Sequence, residues 1–305
     1  MVGQQCAGIV LGATAGRYRI LADDRELVAT LRGRMKLRPD RVVVGDAVSI
    51  VRHADDAWTI EAVLERRSVL RRRRPGRKHG THVVAANLEQ VIVVGAAAQP
   101  AWEPNLIDRF AAVAEVNQLP VVIVINKCDL SGDPGSLASP YRKAGYAVEL
   151  TSVPERLGLE ELRARLAGRT SWLTGPTGVG KSSLLNALQP GLRLRTQAVG
   201  RGRGRHTTVA TELHRLGSDG LVADTPGLRD IGLWGLEPFD VARAFPEFSR
   251  FADQCRFDNC RHLGEPACAV AQAAETDDIS LSRLTSYRLL LDEVLAAARP
   301  WERPG

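Results

Sequence analysis

The order of three short motifs constrains this chain more than any other feature. NKCD at Asn126 to Asp129 comes first, GPTGVGKS at Gly175 to Ser182 second, and DTPG at Asp224 to Gly227 last. A guanine-nucleotide site is normally written with its phosphate loop first and its base-specificity loop last. All five lysines lie at or before Lys181, so no second NKxD follows to restore the usual order. The pattern implies an α/β guanine-nucleotide domain that is circularly permuted.

The chain has room for more than that domain. At 305 residues it suits two or three. Residues 1–68 show short strands punctuated by turns: Ala7 to Leu11, Tyr18 to Leu21, Leu27 to Leu31, Val42 to Val51 and Trp58 to Leu64. That spacing suggests a small closed β-barrel of the OB-fold kind, with a plain β-meander as the competing reading. Residues 69–88 read as a basic linker, because Arg71 to Arg74, Arg77 and Lys78 crowd around a Pro-Gly pair and continue from Arg66 and Arg67. Like charges at that density resist a packed core, so the run is either solvated or neutralised by a partner.

From residue 89 to 234 strands and helices alternate, which predicts a mostly parallel sheet with crossover helices. Gln90 to Val94 and Val121 to Ile125 are apolar strands, and Asn105 to Val116 is an amphipathic helix behind Pro104. A helix near Gly158 to Leu166, a strand at Ser171 to Leu173 and a helix from Lys181 continue the series. Gln189 to Thr208 reads as a loop, and Val209 to Leu216 and Leu221 to Ala223 as strands.

Gly175, Gly180, Lys181 and Ser182 fit G-x-x-x-x-G-K-[ST] in the required context, after a strand and before a helix. Along the loop Gly175, Pro176, Thr177, Gly178, Val179 and Gly180, the backbone N–H groups of all but Pro176 can curl around phosphates. Lys181 reaches the β- and γ-phosphates, Ser182 ligates magnesium, and Ser183 follows in the helix whose positive end faces the anion. Phosphate loops also serve ATPases and kinases, so the base is decided by NKCD. The Asp129 carboxylate accepts from guanine N1 and the exocyclic amine, a pair of donors adenine does not offer. Asn126 and Lys127, with Cys128 between them and Asp129, brace the ring and the phosphate loop. Thr151 and Ser152 resemble the short base-backing loop, with Ser152 the candidate contact.

Asp224 ends a strand and stands where a magnesium-side aspartate is needed, and Gly227 can offer its N–H to the γ-phosphate. The loop Gly202 to Thr208 is placed as the first switch, with Thr208, or Thr207 beside it, on magnesium. Leu228 follows DTPG, where many small GTPases carry a water-orienting glutamine. Leucine can neither donate nor accept, so another group must orient the water; His206 is the nearest candidate by sequence, a solvent-exposed loop histidine being the alternative.

Residues 235–305 carry Cys255, Cys260, His262 and Cys268, a C-x4-C-x-H-x5-C set that completes a tetrahedral zinc shell with no position left for water. One structural zinc per chain is expected, with a helical segment from Ser280 to Ala298. Cys6 and Cys128 fall outside the set and are expected to be buried small hydrophobes. The formal charge of +6, carried almost entirely by arginine, suits a polyanionic partner such as RNA. No signal-like start and no apolar run of about 18 residues occurs, so a cytoplasmic protein without membrane contact is expected, a monomer by default.

Taken together, NKCD before GPTGVGKS, GRHTT, DTPG followed by a hydrophobic residue, and the cysteine–histidine set resemble the RsgA family, also called YjeQ or YloQ. The resemblance covers nearly the whole chain. It implies an N-terminal OB-fold, a central GTPase domain and a C-terminal zinc domain, with GTP or GDP, Mg2+ and one Zn2+ bound. It implies a GTPase that assists late maturation of the small ribosomal subunit, contacts its rRNA near the decoding region, is stimulated by the subunit and leaves after hydrolysis. The family's first-switch histidine, given the catalytic role there, corresponds to His206. The Arg71 to Lys78 run departs from the family pattern. A general RNA-binding module with GTP-regulated affinity is the alternative, and a kinase is disfavoured by NKCD and DTPG.

Overall fold

The computed structural model describes residues 5–33, 35, 41–73, 81–192, 212–217, 219–224 and 238–297. Two compact units divide the chain. One comprises Met1–Glu89, Leu166–Trp172 and Gly202–Leu228; the other comprises Gln90–Arg165, Leu173–Arg201 and Arg229–Gly305.

The first unit opens with five strands, β1 (Gln5–Thr14), β2 (Arg17–Ala22), β3 (Arg25–Leu31), β4 (Ala47–Arg52) and β5 (Trp58–Val63). They close into a barrel in the order β1-β2-β3-β5-β4, with β4 returning to β1 and only the β3–β5 pair parallel. Closure leaves no free sheet edge. Period-two alternation sends Val10, Ile20, Ala29, Val48, Ile50 and Ile60 into a shared core. The barrel expected from the sequence therefore forms; β1, β2 and β3 are longer than their apolar stretches suggested, whereas β4 and β5 are shorter. Just before β4 the buried Asp46 carboxylate accepts from Arg66 Nε at 2.7 Å and from Arg66 Nη2 at 2.9 Å. Arg66, read in sequence as part of an exposed basic run, is thus neutralised inside the protein.

The stretch expected to be a linker instead carries paired strands, β6 (Val69–Arg73) and β7 (Thr81–Ala86), antiparallel, with Val69 opposite Ala86 and Leu70 opposite Ala85. The cause is burial: Leu70, Ala85 and Ala86 are packed inside, and that apolar end outweighs the flanking charge. Residues 74–80, the centre of the basic run, lie outside the described residues.

The second unit begins with β8 (Gln90–Ala96), α1 (Pro104–Val116), β9 (Val121–Asn126), α2 (Pro134–Lys143), β10 (Ala147–Leu150) and α3 (Leu159–Leu166). Next come β11 (Thr170–Thr174), divided between the units, and α4 (Lys181–Leu188); β12 (Glu212–Leu216) and β13 (Gly220–Asp224) belong to the first unit. Both neighbours of β9 run parallel to it, and every residue of β8 and β9 is buried, as a sheet covered on both faces requires. The order runs β10, β9, β8, β11. Leu173 and Thr174 of β11 belong to this unit; Thr170–Trp172 belong to the first, where the order continues β13, β12.

Helices α5 (Pro238–Arg243), α6 (Ser249–Ala252), α7 (Ala269–Glu275) and α8 (Leu281–Ala297) complete the second unit. Phe245, Phe248, Tyr287, Leu290 and Val294 form one core with Ala112 of α1. Within it Arg283 of α8 is fully buried. Its Nη1 donates to Asp108 of α1 at 2.6 Å, and its Nε and Nη2 donate to Glu247 at 2.7 and 3.0 Å. Burial opposes the guanidinium charge, but Asp108 and Glu247 outweigh it and hold the Arg283 pKa well above its ordinary value. Burial also pushes the Asp108 carboxyl up, with Arg283 pulling it back. No helix among the described residues is long and apolar enough to cross a membrane.

Removing the cation alone strands two buried carboxylates. Arg283→Met should therefore lower stability by roughly 3–5 kcal/mol, measured as a shift in the urea-unfolding midpoint. A midpoint unchanged from wild type would contradict the assigned role of this ion pair.

Candidate active site and metal centre

The parallel sheet delivers two loops to the same end. Strand β9 closes on Asn126, and β11 feeds the turn Gly175–Gly180 that opens α4. Both glycines are required by geometry. Gly175 has φ +133° and a Cβ there would stand 2.0 Å from Val94 O; Gly180 has φ +98° and a Cβ would stand 2.5 Å from Asn126 Nδ2.

The two loops are tied by side chains of the NKCD motif. Asn126 Nδ2 donates to Val179 O at 2.8 Å, and Lys127 Nζ donates to Gly178 O at 2.7 Å and also to Gln99 O. Thr151 Oγ1 donates to Asn126 Oδ1 at 3.0 Å, which fixes the amide with its NH2 toward the phosphate loop. Ser152 Oγ donates to Asp129 Oδ1 at 2.6 Å, orienting a half-buried carboxylate. Lys127 takes the left-handed conformation with φ +62°, turning the chain so that Asn126 and Asp129 present separate faces. Cys128 is buried, its Sγ donating to Ile125 O and its N–H to Thr151 O, both at 3.1 Å. Burial raises its thiol pKa. It thus braces the loop from inside, as expected of a buried thiol, whereas Cys6 is only half-buried.

In the phosphate loop, Lys181 Nζ donates to Gly175 O at 2.7 Å and Pro176 O at 2.6 Å. Thr177 is exposed at the turn, and Ser182 and Ser183 occupy the first turn of α4. Asp224 is the last residue of β13, at the strand end where the sequence placed it. His206, Thr207, Thr208, Gly227 and Leu228 lie outside the described residues. One partner was not singled out in the sequence: the Gln99 carbonyl is a backbone group with no residue signature, whereas Thr151 is named there beside Ser152.

The second cluster gathers Cys255, Cys260, His262 and Cys268, whose ligand atoms all lie within 4.8 Å of one another. His262 Nδ1 stands 3.7 Å from Cys255 Sγ and 3.4 Å from Cys268 Sγ. Ordinary zinc–sulfur and zinc–nitrogen bond lengths place tetrahedral S···N edges at about 3.5 Å, so the set fits zinc. Burial keeps the imidazole pKa low, leaving a neutral ligand, and pushes the Cys260 thiol up to about 12. Such thiols ionise near neutrality only against a cation. Glu265 shapes the loop by accepting from Arg261 N and Leu263 N at 2.8 Å each, and the His262 ring packs edge-on against Phe248.

Known proteins bear on this arrangement. Residues 63–234 match the family model described as RsgA GTPase. The chain belongs to the RsgA GTPase family. A Gemmatimonas aurantiaca protein named small ribosomal subunit biogenesis GTPase RsgA is 47% identical over 298 residues, covering 94% of this chain and 97% of that one. A protein of the same name from Moorella thermoacetica is 40% identical, covering 96% and 98%. Among solved structures, YjeQ from Thermotoga maritima superposes with a TM-score of 0.82 at 32% identity, covering 97% of this chain and 100% of that one. YloQ, described as a circularly permuted GTPase, gives 0.76 at 30% identity, covering 97% of each. Membership in the RsgA GTPase family makes this chain a GTP hydrolase with a permuted nucleotide domain, as the motif order implied.

For the metal centre, purified protein should retain one zinc per chain through dialysis and lose it in Cys260→Ala, read by elemental analysis. Unchanged zinc in that variant would reject the ligand set.

Proposed function

We propose that this GTPase binds the small ribosomal subunit in its GTP form, assists late maturation there, and leaves after subunit-stimulated hydrolysis. The observation that supports this most strongly is that similarity to relatives named for small-subunit biogenesis runs through barrel, nucleotide domain and cysteine–histidine cluster alike, over 94% of the chain. In this reading the segments 1–68, 69–88, 89–234 and 235–305 are the barrel, the basic connection, the permuted GTPase domain and the zinc domain. The protein works in the cytoplasm, as a monomer, on rRNA-bearing particles.

Roles follow from chemistry. Asp129, held by Ser152, accepts from the guanine edge, while Asn126 and Lys127 keep the base loop in register with the phosphate loop. The N–H groups of Gly175 and Thr177–Gly180 and the Lys181 ammonium take the phosphates, and Gly227 senses the γ-phosphate. Ser182, Thr208 and Asp224 are the oxygen donors for magnesium, which neutralises phosphate charge when bound. His206 orients the attacking water, because Leu228 has no polar atom to do so. Cys255, Cys260, His262 and Cys268 hold a structural zinc.

Three measurements test the scheme. GTP hydrolysis should rise strongly with small subunits and not with large subunits or free RNA. Equal rates with all three would favour an RNA-binding module with GTP-regulated affinity. His206→Ala should keep GTP affinity and lose stimulated turnover; normal stimulation in that variant would reject the role of His206. Asp129→Ala should weaken GTP binding at least about 100-fold, since each hydrogen bond to a charged group is worth about 1.5–3 kcal/mol, and leave ATP binding unchanged. Equal losses for both nucleotides would show that Asp129 does not read the base.

A further inference from the structure

The barrel touches the nucleotide machinery at an unexpected strand. Within the first unit β1 packs against β12, and two ion pairs join β2 and the turn that follows it to β12. Arg19 Nη1 of β2 donates to Glu212 Oε2 at 3.0 Å. Arg215 Nη2 donates to Asp24 Oδ1 at 2.8 Å, and Arg215 Nη1 to Asp24 O at 2.9 Å. A Cβ on Gly12 would lie 3.4 Å from Glu212 Cγ, so β1 has just the room the glutamate stem needs. This glycine sits where the β1–β2 register shifts between Val10 and Gly12. Leu11, outside the barrel core, is nonetheless fully buried.

The position of Glu212 gives these contacts meaning. In the antiparallel ladder of β12 and β13, Glu212 is the direct partner of Asp224. Along the chain it stands four residues after Thr208. Buried Leu213, Leu216, Val222 and Ala223 fix which way each strand faces, so the ladder has little freedom to slip.

We infer that Arg19 and Glu212 are positioning residues: they register the β12–β13 hairpin against the barrel and so set where Asp224 stands. The barrel thereby becomes a lever on the magnesium side of the GTP site. This rests on the proposed role of Asp224 in magnesium binding. Whatever engages the barrel shifts the hairpin through a polar contact that costs little to adjust, since partly exposed ion pairs are individually weak.

A double-mutant cycle on the full chain tests it, using Arg19→Met, Glu212→Gln and the pair. The primary readout is binding of a non-hydrolysable GTP analogue as magnesium is titrated, and the second is GTP turnover with and without small subunits. Each single variant should raise the half-saturating magnesium concentration by roughly threefold to tenfold, the range of measured long-range couplings. Affinity at saturating magnesium should stay within about twofold, and the double variant should match the worse single one. Stimulation by subunits should fall in parallel. Singles with the wild-type magnesium requirement, or effects that multiply in the double variant, would overturn the inference. Wild-type protein that shows no stimulation would overturn the maturation reading alone, because the magnesium titration still decides the positioning pair.

Discussion

The amide of Asn126 and the ammonium of Lys127 hold the base loop to the phosphate loop through two backbone carbonyls, Val179 O and Gly178 O. A nucleotide longer than either loop must find both in fixed relation, so this brace is what makes one site out of two strand ends. It depends on β9, β8 and β11 lying side by side, with β8 and β9 parallel. It does not depend on which strand the ribosome makes first. Ligand sites in such sheets collect at the carboxyl ends of the strands, whatever the connectivity. Chain order is therefore free to change provided sheet order does not. Permutation has a second effect: in chain order Asp224 is followed by α5 and the helical region that carries the cysteine–histidine cluster.

That helical region is fastened by a polar core. Arg283 meets Asp108 and Glu247 while its guanidinium lies over the Phe245 ring at 4.5 Å. An apolar residue of like volume could fill the space at less desolvation cost, so net stability is a poor explanation for the ion pair. Orientation is a better one. Two carboxylates from different elements satisfy one fork of donors in only one arrangement, which sets the rotation of α8 about its axis on α1. The metal loop inherits that setting. Tyr287 OH donates to Arg261 O at 2.6 Å, Arg288 Nε donates to His262 O at 3.1 Å, and both donors sit on the helix that Arg283 fixes.

Elements whose determinants are local were legible in the sequence. The unbroken apolar runs of β8 and β9, Pro104 at the start of α1, the glycine-rich turn before Lys181 and the cysteine–histidine spacing all act within a few residues of themselves. Where long-range packing decided, the reading failed. In β6 and β7 the arginine run hid a short apolar end that is buried. Helix α2, PGSLASPYRK, goes unmarked in the sequence because its two prolines interrupt the helical pattern. It forms because Pro134 occupies the first turn, Asp133 accepts from Ser136 N at 3.2 Å, and Ala138 and Tyr141 bury one face. Arg283 looks like one more charged position on an amphipathic helix. Nothing near it in the chain announces Asp108 or Glu247. At the site, residue types identified the NKCD side chains, but the carbonyls they grip carry no signature.

Pre-organisation explains why the guanine end of the site can be so fully built. Asn126, Thr151 and Ser152 are buried, and each has a partner within the protein, so none carries an unsatisfied group before nucleotide arrives. Ordering these side chains is part of folding, and binding does not have to supply it again. What remains for the nucleotide is the carboxylate face of Asp129 and the N–H groups of the phosphate loop, the groups assigned to guanine and phosphate in the proposed function. Hydrolysis needs residues from outside this frame. Asp224 arrives on β13, whose ladder partner answers to the barrel through Glu212. In the proposed scheme binding and turnover are thus supported by different contacts, so that a partner engaged by the barrel would alter the rate while leaving recognition of GTP intact.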